Sequence, residues 1–323
     1  MGDSKYPAFK LGGSKYNQET FSGRLRHFFD VIDPRTLFTP QSEVERCVRM
    51  LQQYRDGNEE GWKDEELWKA QKIKQAIIHP DTGAKIPMPF RMSGFVPFGT
   101  PIVAGLLLPG QSMVATVFWQ WLNQSHNACV NYCNRNATKE TSMKDFLLGY
   151  TGAVTSAVSI ALGLNVLVKK STGLSPAKRL LIQRFIPFPA VATASVCNVL
   201  LMRNRELSTG IEVTNKEGKV IGVSKVAAKK ALMETAATRA VLPAPILIIP
   251  PVVMSFIERM KWFHRYPRLN LPIQVLLVSV SFGLALPVAI AIFPQMSQAK
   301  VKDLEEEIQE NTSLEIAYYN KGL

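Results

Sequence analysis

The sequence predicts an all-α fold: a polytopic α-helical membrane protein of about five spans plus a short broken or re-entrant segment, with a small N-terminal helical domain in front. Three observations carry that prediction. Apolar stretches recur from residue 95 to residue 293 with short charged spacers between them. Nearly all of the preceding residues are polar or amphipathic, so a mean hydropathy of +0.02 averages two unlike parts. The net charge of +12 is uneven: residues 1–93 carry 15 basic and 13 acidic side chains and residues 294–323 carry 3 and 6, leaving 20 basic against 7 acidic around the apolar stretches. The expected domains are therefore 1–93 (soluble and helical), 94–294 (transmembrane, with a hairpin-containing loop at 203–238) and 295–323 (an acidic tail).

Basic loops of this kind suit anionic lipid head groups or attract an anionic solute. They punctuate spans and do not line one groove or helix face, so no nucleic acid is expected as a partner. The four cysteines, Cys47, Cys129, Cys133 and Cys197, contain no CxxC pair and imply no disulfide framework. Cys129 and Cys133 lie one helical turn apart beside His126, a spacing that a metal pair could use, but small polarizable side chains on a buried helix face are the commoner case. No metal or cofactor is expected. The chain has no nucleophile elbow, phosphate-binding glycine loop or HExxH pair, so it does not read as an enzyme. The N-terminus lacks an apolar targeting core, and any organelle address is expected to be internal.

Taken in order, the first element is FSGRLRHFFDVIDPRTLF, which gathers Phe21, Leu25, Phe28 and Phe29 on one helical face and stops near Asp33-Pro34. It suits either the membrane surface or packing on the next two helices. Ser42 with Glu45 reads as a capping box opening a helix over 42–55. A second helix runs over 64–78 with Leu67, Trp68, Ile73 and Ile77 on its apolar face, stopping at His79-Pro80. The HPDTG that follows is a turn in its own right. A functional reading adds a gating latch at this junction, built from His79 and Asp81.

The membrane body opens with FVPFGTPIVAGLLLPG, too short and too interrupted for an ordinary span. Residues 146–168 are long enough to cross and place Ala153, Ala157 and Ala161 at four-residue spacing, a close-packing face. FIPFPAVATASVCNVLLM follows, with Asn198 deep in its apolar part. GIEVTNKEGKVIGVSK alternates about a turn at 215–218 and reads as a hairpin. The stretch 241–257 contains Pro243, Pro245, Pro250 and Pro251, breaks that lipid tolerates only where freed carbonyls face protein or a watery cavity. The last span, 271–293, includes Pro272, Gly283 and Pro287, and an acidic amphipathic helix and the tail YYNKGL close the chain.

The segment over 112–138 is the most unusual. It begins apolar and becomes a run of amides without Pro or Gly. At about 100° per residue, Gln120, Asn123, Asn127, Asn131, Asn134 and Thr138 share an arc of roughly 80°, with His126 just beyond its edge. Amides donate and accept without charge, so such a stripe lines a solute path or seals one helix against another, and both readings stay open.

Several of these motifs in shared order resemble the sideroflexins: FSGRLRHFFDVIDPRTLF, HPDTG, FWQWLNQSHNACVNYCNRNAT, RFIPFPAVA, LMRNREL, FPQ and the terminal YNKGL. KIPMPFRMSGFVPFGTPIVAGLLLP and NQSHNACVNYCNRNATK look like the sideroflexin-five branch, whereas serine-carrying members generally have Phe at the position of His126. The family's acidic residue after HPDTG is Ala84 here. The resemblance implies a multi-pass carrier of the mitochondrial inner membrane, with citrate as substrate for this branch and serine or related amino acids for others.

The leading expectation is thus secondary transport of citrate or a related small carboxylate by alternating access. Its candidate substrate-binding residues are Asn123, His126, Asn127, Asn131, Asn134 and Asn198, with Arg135, Arg184 or Arg203 attracting the anion. Amino-acid transport is the alternative. A third reading is a non-transporting scaffold or assembly factor in mitochondrial iron or haem handling. Expected partners are the small substrate, membrane lipids and a second copy of the chain.

Overall fold

The computed structural model describes residues 6–57, 61–80, 82–108, 110–134, 143–171, 173–216, 219–292 and 296–321. Helices dominate, and their order is α1 (Phe21–Val31), α2 (Gln41–Arg55), α3 (Asp64–Ile77), α4 (Phe95–Leu106), α5 (Met113–Cys133), α6 (Met143–Lys170), α7 (Pro176–Gln183), α8 (Pro187–Met202) and α9 (Glu206–Thr209). After the hairpin β1 (Ile211–Thr214) and β2 (Val220–Ser224) come α10 (Lys225–Val241), α11 (Ala244–Ile257), α12 (Lys261–Arg265), α13 (Asn270–Val280) and α14 (Leu286–Ile292). β3 (Met296–Lys300), α15 (Glu306–Asn311) and β4 (Ile316–Asn320) complete the chain.

Among the described residues, four helical stretches are long and apolar enough to cross a membrane: Met143–Lys170, Pro176–Met202, Lys225–Ile257 and Asn270–Ile292. α4 has 12 residues, so it spans about 18 Å, little more than half a hydrocarbon core, as the short reading of this stretch requires. α5 has 21 residues but is not among the four, because amides replace apolar side chains in its second half.

The chain divides into two compact units. One comprises 1–104, 126–140 and 268–292, the other 105–125, 141–267 and 293–323. In the first, α2 and α3 close on a core of Phe9, Val44, Cys47, Met50, Leu51, Leu67, Trp68, Ile73 and Ile77. The expected Ser42–Glu45 capping box does not form. The helix starts one residue earlier, with extended Pro40 in the N-cap position and no side-chain cap. α1 packs mainly on α14, where Arg24 Nε donates to Ala291 O at 2.8 Å, and reaches α3 through Lys72. That ammonium meets Asp30 and Asp33 at 2.8 Å each. A Cβ at Gly23 would lie 1.8 Å from Asn17 O, so the turn into α1 needs glycine. Between α13 and α14, Ser281–Ala285 forms a π turn, which absorbs the N–H that Pro287 lacks. Gln274 Nε2 donates to Ala104 O at 3.3 Å.

In the second unit the alanine face forms as its spacing predicts: Ala153 and Ala157 meet Ala194, and Ala161 meets Ile186 and Ala190. Pro250 and Pro251 lie inside α11 and are buried, so that break faces protein. The hairpin also forms, but within a larger sheet. Its order is β2-β1-β4-β3, every pair antiparallel. The C-terminal residues, read from sequence as an acidic helix and tail, supply two of its strands. The sheet, α10 and α15 enclose Val213, Ala227, Ala231, Ile308 and Tyr319. Glu234 ties the layers, accepting from Ser297 Oγ (2.7 Å) and Tyr319 OH (3.0 Å) and pairing with Lys321 Nζ (3.1 Å).

Candidate substrate site

In the second unit, Gly110 adopts φ 67°, a left-handed turn that suits glycine. The turn delivers Gln111 beneath the end of α4, where Nε2 donates to the carbonyls of Gly105 (2.8 Å), Leu106 (3.1 Å) and Leu108 (2.8 Å). A helix end leaves such carbonyls short of partners, and of the three Gly105 O also accepts from Leu108 N at 3.3 Å. The opposite atom, Gln111 Oε1, is buried without a partner.

Gln111 belongs to a small cleft, open to solvent, with a volume of about 20 Å³. Its lining also includes Thr116 and Gln120 of α5, Ala161 and Asn165 of α6, Gln183 at the end of α7, and Ile186 and Pro187 at the start of α8. The polar groups are four carboxamides and a hydroxyl, with no charged side chain among them. Thr116 Oγ1 donates to Ser112 O (3.1 Å) and Asn165 Nδ2 to Ala161 O (3.0 Å), so both spend a donor inside their own helix.

Along α5 the amides become buried before they become solvated. Gln120, Asn123 and Gln124 are 1%, 8% and 4% exposed. Gln120 Oε1, Asn123 Nδ2 and Gln124 Nε2 are each buried without a hydrogen-bond partner. One residue on, Ser125 and the Tyr150 hydroxyl share a hydrogen bond of 2.9 Å that ties α5 to α6. Within the first unit, His126 Nε2 lies 3.2 Å from Pro89 O, and the ring stacks on Phe95 at 5.9 Å between centroids. Asn134 Nδ2 donates to Phe90 O (2.8 Å) and Val130 O (2.7 Å). His126 and Asn134 therefore hold the KIPMPF segment. Asn127 is half-buried and Asn131 exposed.

Of the residues singled out from sequence, Gln120 lines the cleft, while Asn123, His126, Asn127 and Asn131 share its helix but not its lining, and Asn134 lies one residue past the helix end. Asn198 of α8 instead lies against Gly149 of α6, its Nδ2 3.4 Å from where a Cβ would sit. Arg184 is held by Glu258 in a two-pronged pair, both contacts at 2.7 Å. Arg203 is engaged by Glu206, Thr235 and the Lys321 carbonyl. His79 is buried in a closed turn: its N–H donates to Ala84 O (2.9 Å), its carbonyl accepts from Gly83 N (3.0 Å), and its Nδ1 accepts from Thr82 N (3.3 Å). Asp81, Arg135 and Thr138 lie outside the described residues. Sequence reading missed Gln111, Asn165 and Gln183. The signal for Gln111 was a lone amide directly after a Pro-Gly turn that closes an apolar helix.

Four helical stretches of membrane length and apolar character, among the described residues, define a multi-pass helical membrane protein. The profile of the Sideroflexins matches residues 10–323. Human Sideroflexin-5 is 58% identical over 321 residues, 99% of this chain and 94% of the relative. Sideroflexin-5 of Caenorhabditis elegans is 49% identical over 319 residues (98% and 96%), and mouse Sideroflexin-1 is 39% identical over 323 residues (98% of each). The chain belongs to the sideroflexins, a family of membrane transporters. No solved structure matches it.

Proposed function

We propose that this sideroflexin is a secondary transporter of the mitochondrial inner membrane that moves a small polar metabolite by alternating access, gripping it with uncharged amides. The observation that carries this reading is the set of buried, unpartnered polar atoms on α5: Gln120 Oε1, Asn123 Nδ2 and Gln124 Nε2. Each such atom costs roughly 1–3 kcal/mol, and a row of them in one membrane protein is tolerated where a passing solute or water supplies the missing bond. The neutral lining of the cleft favours a zwitterionic amino acid. Arg184 and Arg203, the described candidates for attracting an anion, are already committed to carboxylates. Citrate, the substrate implied by the resemblance to the sideroflexin-five branch, is the second reading, and the 20 basic against 7 acidic side chains of residues 94–293 support it. The mitochondrial location rests on the same resemblance.

Purified protein in vesicles, offered labelled serine and labelled citrate in separate assays, distinguishes these readings. Saturable serine uptake, with citrate excluded, is expected. Citrate uptake without serine uptake would replace the amino-acid reading by the tricarboxylate one. Failure with both would remove transport and leave a scaffold.

A further inference from the structure

We propose that Arg239 binds the phosphate of an anionic phospholipid at one border of the apolar layer, a site outside the lining of the cleft and independent of the transport reading. Arg239 lies near the end of α10 and is partly buried. It has no hydrogen-bond or ion-pair partner among the described residues, and its Nε is shut off from solvent. Other arginines of the second unit are neutralised: Arg184, Arg203 and Arg205 pair with Glu258, Glu206 and Asp145 at 2.7, 2.6 and 3.1 Å. A guanidinium offers five N–H donors in a planar fork and keeps its charge at any physiological pH. Leaving one partly buried without a counter-anion is costly, and a bound anion removes that cost.

The surroundings of Arg239 specify the anion. Thr235 precedes it by one turn on the same face of α10, and its Oγ1 accepts from Arg203 Nη1 at 3.3 Å. Helical side chains lean toward the N-terminus of their helix, which carries the Arg239 guanidinium back toward Arg203. The two charges are close enough to oppose each other. Glu206 is spent on Arg203, and Glu234, beside Thr235 in the chain, is spent on Lys321, Ser297 and Tyr319. Three cations against two carboxylates leave one positive charge over. The level of the site follows from the helices. α8, which is apolar, ends at Met202 immediately before Arg203, and α11, also apolar, begins at Ala244, about 7.5 Å beyond Arg239. α8 packs on both α10 and α11. Both guanidiniums therefore stand at one edge of the hydrocarbon, near the exposed apolar side chains of Leu200 and Val241. Phospholipid phosphates run along that edge. A phosphodiester carries one negative charge, which matches the surplus, and accepts two parallel N–H bonds from a guanidinium fork. Its acyl chains stay in the bilayer, so no deep cavity is needed.

The test uses purified full-length protein in a neutral detergent, titrated with phosphatidylglycerol, with zwitterionic phosphatidylcholine and with soluble glycerol phosphate, and reads the melting temperature. Arg239→Gln removes the charge and keeps a polar side chain, and Arg239→Lys keeps the charge without the fork. Lys178→Gln removes an exposed cation elsewhere, on α7. Phosphatidylglycerol is expected to raise the melting temperature of the wild type by about 2–6 °C, while phosphatidylcholine and glycerol phosphate leave it unchanged. Without lipid, Arg239→Gln is expected to melt no lower than the wild type, because an unpaired charge has gone. It is expected to need roughly 10-fold more phosphatidylglycerol for the same shift, with Arg239→Lys in between and Lys178→Gln titrating as the wild type does. A lower melting temperature of Arg239→Gln without lipid would make the guanidinium a support of the fold and overturns the proposal. An unchanged titration in Arg239→Gln overturns it too, as does an equal shift from phosphatidylcholine. An equal loss in Lys178→Gln overturns it by making the effect a general field of the basic loops. Glycerol phosphate acting at the same concentration as phosphatidylglycerol makes the ligand a soluble phosphate and overturns the assignment to lipid.

Discussion

His126 does the work of an aromatic wall and of a polar tether at once. Its ring stacks on Phe95 while Nε2 meets Pro89 O. His126→Phe keeps the stack and loses the tether, so a cost of about 0.5–1.5 kcal/mol is expected, and His126→Ala should cost more. Thermal unfolding of the purified variants measures both, and equal losses would deny the stack its share. Asp33 sets an acid limit on the first unit. The hydrogen bonds from Arg35, and then those from Lys72, hold its carboxyl well below the usual carboxylate range despite partial burial, which pulls the other way. Arg35 is 86% exposed and solvent screens much of its pull, so Lys72 is the firmer partner. Because the folded value is depressed, this stabilisation is complete above about pH 4 and is lost as pH falls through that range toward the folded value. Denaturant midpoints compared at pH 6 and pH 3 should therefore fall less steeply in Asp33→Asn than in the wild type. At this scale the sequence revealed which residues were unusual but not what they touch. Gln111 became meaningful only when the end of α4 came within reach, and Gln183 lies 72 positions further along the chain.

At the scale of elements, periodicity was a better guide than single residues. Ala153, Ala157 and Ala161 recur every four residues, and that spacing alone places a smooth face on α6 whatever lies opposite. Their partner, α8, presents Ala190 and Ala194, and Gly152 backs onto Leu201 so closely that a Cβ would fall 2.2 Å from its Cδ1. Ala157→Leu is expected to destabilise the detergent-solubilised protein by about 1–3 kcal/mol through overpacking. Leu200→Ala, on the exposed side of α8, should change the melting temperature little, and a matching drop there would mean that the alanine face is not the seam. Boundaries were less legible than faces. Ser42 and Glu45 satisfy the capping pattern, but Pro40, with its fixed φ, already occupies the N-cap position and Gln41 opens the helix. The amide stripe read over 112–138 is helical as far as Cys133, with Asn134 past the helix end and Thr138 outside the described residues, and only the surrounding elements separate its buried amides at Gln120 and Asn123 from the exposed Asn131.

At the scale of the whole molecule, the least legible feature was the sheet. A hairpin announces itself through a local turn, and β1 with β2 did so. β4 pairs with β1 across 104 residues, as Thr214 and Tyr318 show, and nothing local in YYN reports a partner that distant. Truncation after Thr312 removes β4, leaves β1 and β3 without the strand that lies between them and uncovers Val213, which is fully buried. The truncated protein is expected to lose resistance to limited proteolysis in 200–240, and protection equal to that of the full chain would show that β4 is dispensable. The strand order has a further consequence for biosynthesis. With β2 on one side of it, β1 keeps its other edge bare until β4 has been made, roughly 5–20 s later at about 5–20 residues per second. For that interval an aggregation-competent strand edge stands unprotected on the growing chain, so this part of the molecule is open to mispairing until β4 arrives.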